Sequence, residues 1–329
     1  METFRGLIDG PVEIHWCEFA VSSVAEKGKS VINVEAHDPT LFMFDFNGAE
    51  ICGLMTLQGY RMTLEVYPPA EGSHKLQIFA KPFNSSMSIY ARVLRYRVDC
   101  SSVHSTMKIP KALSNPVGPN WMTEQKGFLQ PSHTNAIIHT HDGRCSVSFR
   151  LKEDMDVLAT LHSDEMEMTE DMKRRHIFKS QFEKQVVLKI QIPQAGTFVL
   201  KIFSRIKGAK DTRYVYTLCY LLSCTNVAVT WPVFPEVYTA WLDSYELVEP
   251  TAGVLPANQN VQFKLKVPGV NSVLINDKKM GSLTLSADGY WEGAFNTAGC
   301  KELNVLTQET PRQKQYVVIL SYQVETQKK

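Results

Sequence analysis

The sequence has 329 residues, enough for about two to three domains. Its residues are 44% hydrophobic and 21% charged, an apolar fraction that is typical of packed globular protein and excludes intrinsic disorder. Lys plus Arg number 35 and Asp plus Glu 34, so the chain as a whole lacks the polybasic field that binding to nucleic acid or to an anionic membrane normally needs.

The N-terminal residues predict no secretory signal, because Glu2 is acidic and no apolar run follows it. The longest apolar stretch, 215–224, is about half of the roughly 20 residues that a membrane-spanning helix needs. The cysteines are odd in number and spread along the chain, which predicts free thiols in a reducing compartment. They are Cys17, Cys52, Cys100, Cys145, Cys219, Cys224 and Cys300. The sequence therefore predicts a cytoplasmic protein without a membrane span.

Taken along the chain, short runs of alternating apolar and polar residues dominate. The clearest are residues 30–35, 60–67, 147–151, 186–192, 261–267 and 316–324. A period of two predicts strands with one face on a core and one in water, and short strands between turn residues favour an all-β sandwich. One stretch differs: residues 164–182 are acidic and then basic, which predicts either one helix or a charged hairpin loop.

A strand–turn–strand segment recurs three times, at residues 74–100, 198–224 and 302–326. Each copy predicts a β-hairpin that carries two tyrosines six residues apart. The pairs are Tyr90 and Tyr96, Tyr214 and Tyr220, and Tyr316 and Tyr322. The even spacing predicts that both rings of a pair face the same side of the strand, as core and corner aromatics.

The ends of the three hairpins divide the chain into units of about 100 residues, the size of an immunoglobulin-like sandwich. We predict three tandem immunoglobulin-like β-sandwich domains at residues 1–105, 106–226 and 227–329, the first incomplete at its start. The connector at 101–119 is rich in Ser, Asn and Pro, which predicts a linker into the second unit. The connector at 225–235 is apolar and bounded by Pro, which predicts packing against the following domain.

A cysteine nucleophile needs a histidine to activate it and a third group to orient the imidazole. Cys17 follows a His-Trp pair, but no helical run follows it. Cys145 follows His141 and Asp142, yet the Asp-Gly pair at 142–143 is a natural hairpin turn, so the cluster is interpreted as a strand–turn–strand. No catalytic residue is predicted.

His139 and His141 would project from one face of a strand and approach Cys145 or His133 as metal ligands. Structural zinc usually takes four ligands in recognisable pairs. The sequence contains no second pair, so no metal or cofactor site is predicted, and a solvated strand end is the simpler interpretation.

Cys219 and Cys224 stand five residues apart on one strand, so they point to opposite faces and do not suit a disulfide or a shared metal. Glycine-rich phosphate loops are absent from the sequence. The basic cluster at 173–176 is flanked by acidic residues and predicts a charge-balanced surface helix or loop, with a phosphopeptide or lipid head-group site as the alternative. Three tryptophans are interpreted as core or interdomain anchors, with carbohydrate stacking as the alternative: Trp121, Trp241 and Trp291.

Several segments resemble the C-terminal region of the kyphoscoliosis peptidase and hillarin family. They are LQIFAK (76–81), NPVGP (115–119), GFLQPS (127–132), IPQAGTFVLKIFS (192–204), WPVFPEVYTAW (231–241), EPTAGVLP (249–256), VQFKLKVPG (261–269), WEG (291–293) and YVVILSYQV (316–324). The resemblance extends over residues 20–326. It implies tandem immunoglobulin-like domains that follow a transglutaminase-like core with Cys, His and Asp. That core would precede residue 1, so none of its catalytic residues is carried over.

Because the chain resembles the domains that follow the catalytic core and no catalytic residue is predicted in it, we predict a non-catalytic protein–protein interaction or scaffold module. Its expected partners are proteins, cytoskeletal or linked to the cytoskeleton or cell cortex, and not nucleic acid. The alternative is part of a transglutaminase-like cysteine peptidase whose catalytic core lies outside this chain. The resemblance also implies that the chain is a fragment, a truncated gene model or a shortened paralogue. A reactive cysteine beside a histidine would favour the peptidase alternative.

Overall fold

The computed structural model describes residues 20–25, 28–48, 52–86, 88–104, 108–276, 280–310 and 315–325. In this part of the chain β-strands predominate, interrupted by two helices of five and six residues. No helix among the described residues is long and apolar enough to cross a membrane. The all-β class predicted from the alternating runs is confirmed.

The first sandwich is built from strands on both sides of a phenylalanine-rich core. Its strands are β1 (Ala20–Ala25), β2 (Ser30–Glu35), β3 (Thr40–Phe46), β4 (Gly53–Gln58), β5 (Arg61–Val66), β6 (Gly72–Pro82) and β7 (Ala91–Cys100). They form two sheets, with strand orders β1-β7-β6-β3 and β2-β5-β4. In β3, Phe42, Phe44 and Phe46 point into the core, because successive side chains of a strand face opposite sides.

The second sandwich contains both short helices. Its elements are α1 (Trp121–Gln125), β8 (Phe128–Leu129), β9 (Ile137–His139), β10 (Arg144–Leu151), β11 (Met155–His162), α2 (Glu170–Arg175), β12 (Ile177–Phe182), β13 (Gln185–Gln191), β14 (Gly196–Ile206) and β15 (Val215–Cys224). The sheets have the orders β12-β13-β10-β8 and β11-β14-β15-β9. Phe149, Phe198 and Tyr220 are buried between them.

The third sandwich has two unequal sheets. Its strands are β16 (Glu236–Val237), β17 (Glu246–Glu249), β18 (Val254–Leu255), β19 (Asn260–Lys266), β20 (Ser272–Asn276), β21 (Met280–Ser282), β22 (Thr284–Leu285), β23 (Trp291–Asn296), β24 (Glu302–Gln308) and β25 (Val317–Val324). The sheets have the orders β16-β25-β24-β20-β21, with β18 also paired to β25, and β17-β19-β23-β22. In the core, the rings of Phe263 and Tyr322 meet edge to face, 5.6 Å apart.

The three repeated segments are β-hairpins, as predicted: β6–β7, β14–β15 and β24–β25. Each hairpin contains a register shift at the same place, directly after Ile78, Ile202 or Val305. The shift places an extra residue in the second strand and interrupts the alternation of its side chains. The repeat is therefore preserved down to an irregularity that the sequence pattern did not reveal.

The prediction that both tyrosines of a pair face the same side is wrong in the second and third hairpins. Tyr220 and Tyr322 are fully buried, whereas Tyr214 and Tyr316 are 38% and 37% exposed. A register shift lies between the two positions of each pair. Its extra residue interrupts the alternation of side chains, so residues six apart no longer face the same side. Each buried tyrosine serves as the predicted corner aromatic, since its hydroxyl donates to a backbone carbonyl, at 2.8 Å for Tyr220 and 3.1 Å for Tyr322.

The strands predicted from alternation correspond to β2, β5, β10, β13, β19 and β25, with small differences at their ends. The charged stretch at 164–182 follows neither alternative in full, because it contains the short helix α2 and then the strand β12. Pairing of β12 with β13 along its whole length explains the difference, since tertiary pairing overrides a local charge pattern. The domain boundaries at 105 and 226 stay predictions.

Candidate functional site

The first junction joins the first and second sandwiches through an apolar cluster of its own. Leu54 and Tyr67 of the first sandwich cluster with Val117 of the connector and with Cys219 and Leu221 of β15. All five are at most 7% exposed. Burial of apolar surface contributes about 25 cal/mol per Å², so this contact stabilises one arrangement of the two sandwiches. The connector that we predicted as a linker is packed between them.

Hydrogen bonds fix the same junction. Asn115 Oδ1 accepts from Met55 N at 2.8 Å, and Val117 N donates to Met55 O at 2.7 Å. On the other side, Gly118 N donates to Cys219 O at 2.8 Å. The connector is thus bonded to the backbones of both sandwiches within four residues of its own chain.

The second junction is built on Phe178 of β12. This strand belongs to a sheet of the second sandwich, but the Phe178 ring lies in the core of the third and is 3% exposed. Its centroid lies 5.5 Å from that of Phe234 and 5.4 Å from that of Trp241. Within the connector at 225–235, Phe234 packs on the third sandwich as predicted, while Val229 packs on the second.

The basic cluster at 173–176 lies at this junction. Arg175 Nη2 donates to Phe234 O at 3.0 Å, and Phe234 N donates to Arg175 O at 2.7 Å. Arg175 also pairs with Asp171 within α2 at 3.3 Å, so the predicted charge balance is confirmed. The contact with the connector was missed, because spacing along a helix reveals only partners on the same helix.

Asp243 adds an ionic contact at the second junction. Its carboxylate lies 3.2 Å from Lys179 Nζ and 3.1 Å from Lys207 Nζ, both of the second sandwich. Burial acts to raise the pKa of Asp243, but the two lysines outweigh it and hold the pKa below its ordinary value. The Asp243 carbonyl also accepts from Gln181 N at 3.2 Å. One acidic residue thus binds β12 and the residue that follows β14 in the neighbouring sandwich.

His176, the last residue of the basic cluster, is 1% exposed. Its Nδ1 lies 2.8 Å from Gln191 O, and the Gln191 amide donates to Thr251 O of the third sandwich at 3.4 Å. Burial lowers the pKa of His176, and the charge of Arg175 lowers it further. The hydrogen bond to the Gln191 carbonyl acts to raise this pKa but does not outweigh them. The neutral imidazole is therefore the form that fits the junction.

We expect stability to fall below about pH 6.5, the ordinary pKa of histidine, partly through His176. Because folding lowers this pKa, the unfolded chain binds more protons as the pH falls through that value, and the free energy of unfolding decreases. Burial also lowers the pKa of His162, which acts in the same sense. Urea unfolding at about pH 7.5 and about pH 5.5 measures the effect. His176→Gln should lose less stability over this interval than the wild type, and equal losses would contradict the assignment.

The structure does not place Cys145, the candidate thiol among the described residues, in a catalytic arrangement. Cys17 and its neighbouring histidine lie outside the described residues. Cys145 is half-buried in β10, and within the described part of the chain no hydrogen bond joins it to a histidine. Burial raises the pKa of Cys145 to about 12, helped by the charge of Asp142. A thiol with a raised pKa is a poor nucleophile at neutral pH.

The predicted strand–turn–strand before Cys145 is present, but it is not a hairpin. Strand β9 pairs with β15 and β10 pairs with β13, so the turn carries the chain from one sheet to the other. Trp231 holds the turn in place. Its indole Nε1 donates to Asp142 O, and the Arg144 guanidinium lies 4.7 Å from the centroid of its ring. Gly143 has φ +76°, and a Cβ there would collide with Val229.

The candidate metal ligands do not converge. Among the described residues, no group of three or more His, Cys, Asp or Glu side chains is arranged to hold a metal ion. His141 lies beyond the last residue of β9, so strand alternation does not place it beside His139. Cys219 and Cys224 face opposite sides, as predicted, one in the junction cluster and the other in the core. The described cysteines are free thiols, also as predicted.

The three tryptophans are anchors, as interpreted from the sequence. Trp291 lies in the third core and is 7% exposed. Trp121 packs edge to face on Phe83 of the first sandwich, at 5.0 Å, and Trp241 packs on Phe178. Two of them therefore stabilise junctions.

In each sandwich, two sheets face each other and the last hairpin lies beside a short parallel strand: β1 with β7, β9 with β15, and β18 with β25. These are tandem domains of the immunoglobulin-like class. A family model described as "KY-like, immunoglobulin-like domain" matches residues 20–111 and 117–235, and the chain belongs to this family. The resemblance seen in the sequence is confirmed.

Two relatives carry the name kyphoscoliosis peptidase. The protein from Homo sapiens is 47% identical over 300 residues and that from Mus musculus 46%. The match covers 91% of this chain but 45% of either relative, so the chain spans less than half of their length.

Among solved structures, the titin I-band fragment I67-I69 is 13% identical, and the match covers 93% of this chain and 96% of the titin chain, with a TM-score of 0.19. The insect immune protein hemolin is 10% identical, with coverages of 93% and 74% and a TM-score of 0.20.

Proposed function

We propose that the chain is a non-catalytic protein–protein interaction or scaffold module. The observation that supports this most is the pair of packed junctions, which hold three sandwiches in a fixed relation and so offer partner proteins an extended surface. Such surfaces, with sheet edges and interdomain grooves, suit peptide and domain binding. We propose domain boundaries at 105/106 and 226/227, and cytoplasmic partners linked to the cytoskeleton or cell cortex.

Affinity capture with the tagged full chain tests the proposal. Cytosolic and cytoskeletal fractions of one lysate should each be offered to the chain and to the tag alone. We expect specific partners to be retained by the chain, more of them from the cytoskeletal fraction. A chain that retains nothing beyond the tag control would contradict the module, and retention only from the cytosolic fraction would contradict the cytoskeletal link.

A second candidate is part of a cysteine peptidase, supported by the name of the two relatives and by the share of their length that this chain covers. It requires a reactive thiol in this chain or in a further part of a longer protein. Two of the described thiols, Cys145 and Cys219, do not support a reactive thiol in this chain. Burial raises the pKa of Cys145 to about 12, and burial also raises the pKa of Cys219.

We expect Cys145 and Cys219 to react with iodoacetamide at about pH 6 at least about tenfold more slowly in the native chain than in urea, because each unit of raised pKa lowers the thiolate fraction about tenfold. Peptide mass spectrometry after timed labelling measures each cysteine separately, and the urea sample is the control. Rapid labelling of either cysteine in the native chain would favour the peptidase candidate instead.

A further inference from the structure

Further along from Arg92 and Lys81, three cations lie together near one end of the outer face of the first sandwich's sheet β1-β7-β6-β3. They are Lys75 on β6 and Arg95 and Arg97 on β7, and we call them the basic face. Lys75 stands directly opposite Arg97, and Arg95 stands opposite Gln77. The three side chains are exposed, Arg97 at 67%, while their strand neighbours such as Leu76 are buried in the core. The face is therefore open to a partner.

The charge pattern of this face costs folding stability. In two other described sheets, a cation stands opposite an acid and pairs with it: Arg205 bonds Asp156 across the strands at 2.8 Å, and Lys264 bonds Glu292 at 2.6 Å. Like charges directly opposite in a sheet are destabilising. The opposition of two cations on the first sandwich therefore indicates a use outside the fold.

Two acids share the basic face and neutralise it only in part. Asp99 pairs with Arg97 at 3.0 Å, along the same strand. Asp45 stands opposite Gln77 and accepts from the Gly48 backbone in the turn after β3. Within the described part of the chain, Arg95 has no ion-pair partner, so a positive charge is left for an incoming group.

The internal repeat shows what this face does in the second sandwich. Lys75, Arg95 and Arg97 correspond to Val199, Cys219 and Leu221 in the next copy of the hairpin. Those three are fully buried in the first junction, under the connector. The same face of the same hairpin is thus a docking surface in the second sandwich, where apolar side chains suit permanent burial. Cations on the first sandwich suit reversible contact with opposite charge.

We propose that the basic face binds an acidic segment of a partner protein, in extended form, whose carboxylates pair with Arg95, Arg97 and Lys75. Arg pairs with carboxylates through two parallel hydrogen bonds. Met43 and Phe79 lie opposite each other on the same face and fit an apolar side chain between the acids. An anionic membrane would present negative charge to Asp45 and Asp99 on the same face, whereas the acids of a peptide can be spaced to meet the cations alone, which favours the protein segment. This inference rests on the proposed function and adds the chemistry of the partner.

Fluorescence anisotropy tests the proposal with the full chain and a labelled peptide of alternating Glu and Val. A peptide with Gln in place of Glu is the matched control and should not bind. Arg95→Glu/Arg97→Glu should weaken binding at least about tenfold, because two charge pairs become repulsive. Lys210→Glu/Arg213→Glu, with the same change of net charge in an exposed loop, should bind as the wild type does. Equal binding by both double variants would overturn the proposal.

Folding and the membrane alternative are separated by two further measurements. Arg97→Glu gains a charge pair with Lys75 across the strands and loses the pair with Asp99 along the strand, so the Tm of the double variant should stay close to that of the wild type. A lower Tm with weaker binding would overturn the argument from opposed charges. Binding to phosphatidylserine vesicles but not to the peptide would assign the face to membranes and overturn the protein partner. If the double variant captures the same lysate proteins as the wild type, the proposed role of the basic face is overturned, while the proposed interaction module is still supported.

Discussion

Replacement of Phe178 by alanine is expected to lower the free energy of unfolding by about 3–5 kcal/mol, as for other large buried aromatic residues. The ring is 3% exposed and contacts Phe234 and Trp241, so its removal leaves a cavity in the third core. The residue itself belongs to a strand of the second sandwich. The loss should therefore appear both as a less stable third sandwich and as weaker coupling between the two.

Phe182→Ala is the matched control, since it removes the same side chain from the same strand. Phe182 is 66% exposed, and its replacement should change stability by no more than about 0.5 kcal/mol. Urea unfolding followed by tryptophan fluorescence measures both variants, and Trp241 reports directly on the site of Phe178. Equal effects of the two substitutions would contradict the position of Phe178 in the third core.

The sequence alone was sufficient for the strands with clear alternation, the repeated hairpins and the number of sandwiches. These features are local or repeated: alternation in 186–192 or 261–267 requires only that one face is buried, and the hairpin at 74–100 recurs with its tyrosines at 198–224. The corner role of Tyr220 could be predicted for the same reason. Its partner Tyr214 could not, because a register shift leaves no mark in residue spacing.

The junctions were the part that local patterns did not reveal. Phe178 and Arg175 lie in a stretch whose charges predict a surface helix or loop, yet both contact residues more than 50 positions away. Only the sheet pairing of β12 decides which way Phe178 points. The basic face did carry a signal, since aligned copies of the hairpin exchange Arg95 and Arg97 for Cys219 and Leu221.

Exchange of these corresponding residues gives the second large effect. Leu221→Arg places in the first junction the residue that the first hairpin carries at the same position. Leu221 is fully buried, in contact with the apolar cluster that includes Leu54 and Val117. A charge left there without a partner should cost about 3–5 kcal/mol. Because the connector and the first sandwich supply much of that cluster, and Leu221 faces it instead of the second core, the junction should open before the second core unfolds.

The reciprocal substitution, Arg97→Leu, is the matched control. Its site is exposed, so stability should change by no more than about 0.5 kcal/mol, while binding of an acidic peptide should weaken. Urea unfolding measures the stability of both variants, and limited proteolysis within residues 108–119 measures the opening of the junction. Faster cleavage is expected in Leu221→Arg alone. If both variants resist cleavage as the wild type does, the outer face of the second hairpin does not hold the connector, and the comparison that assigns docking to the first hairpin loses its basis.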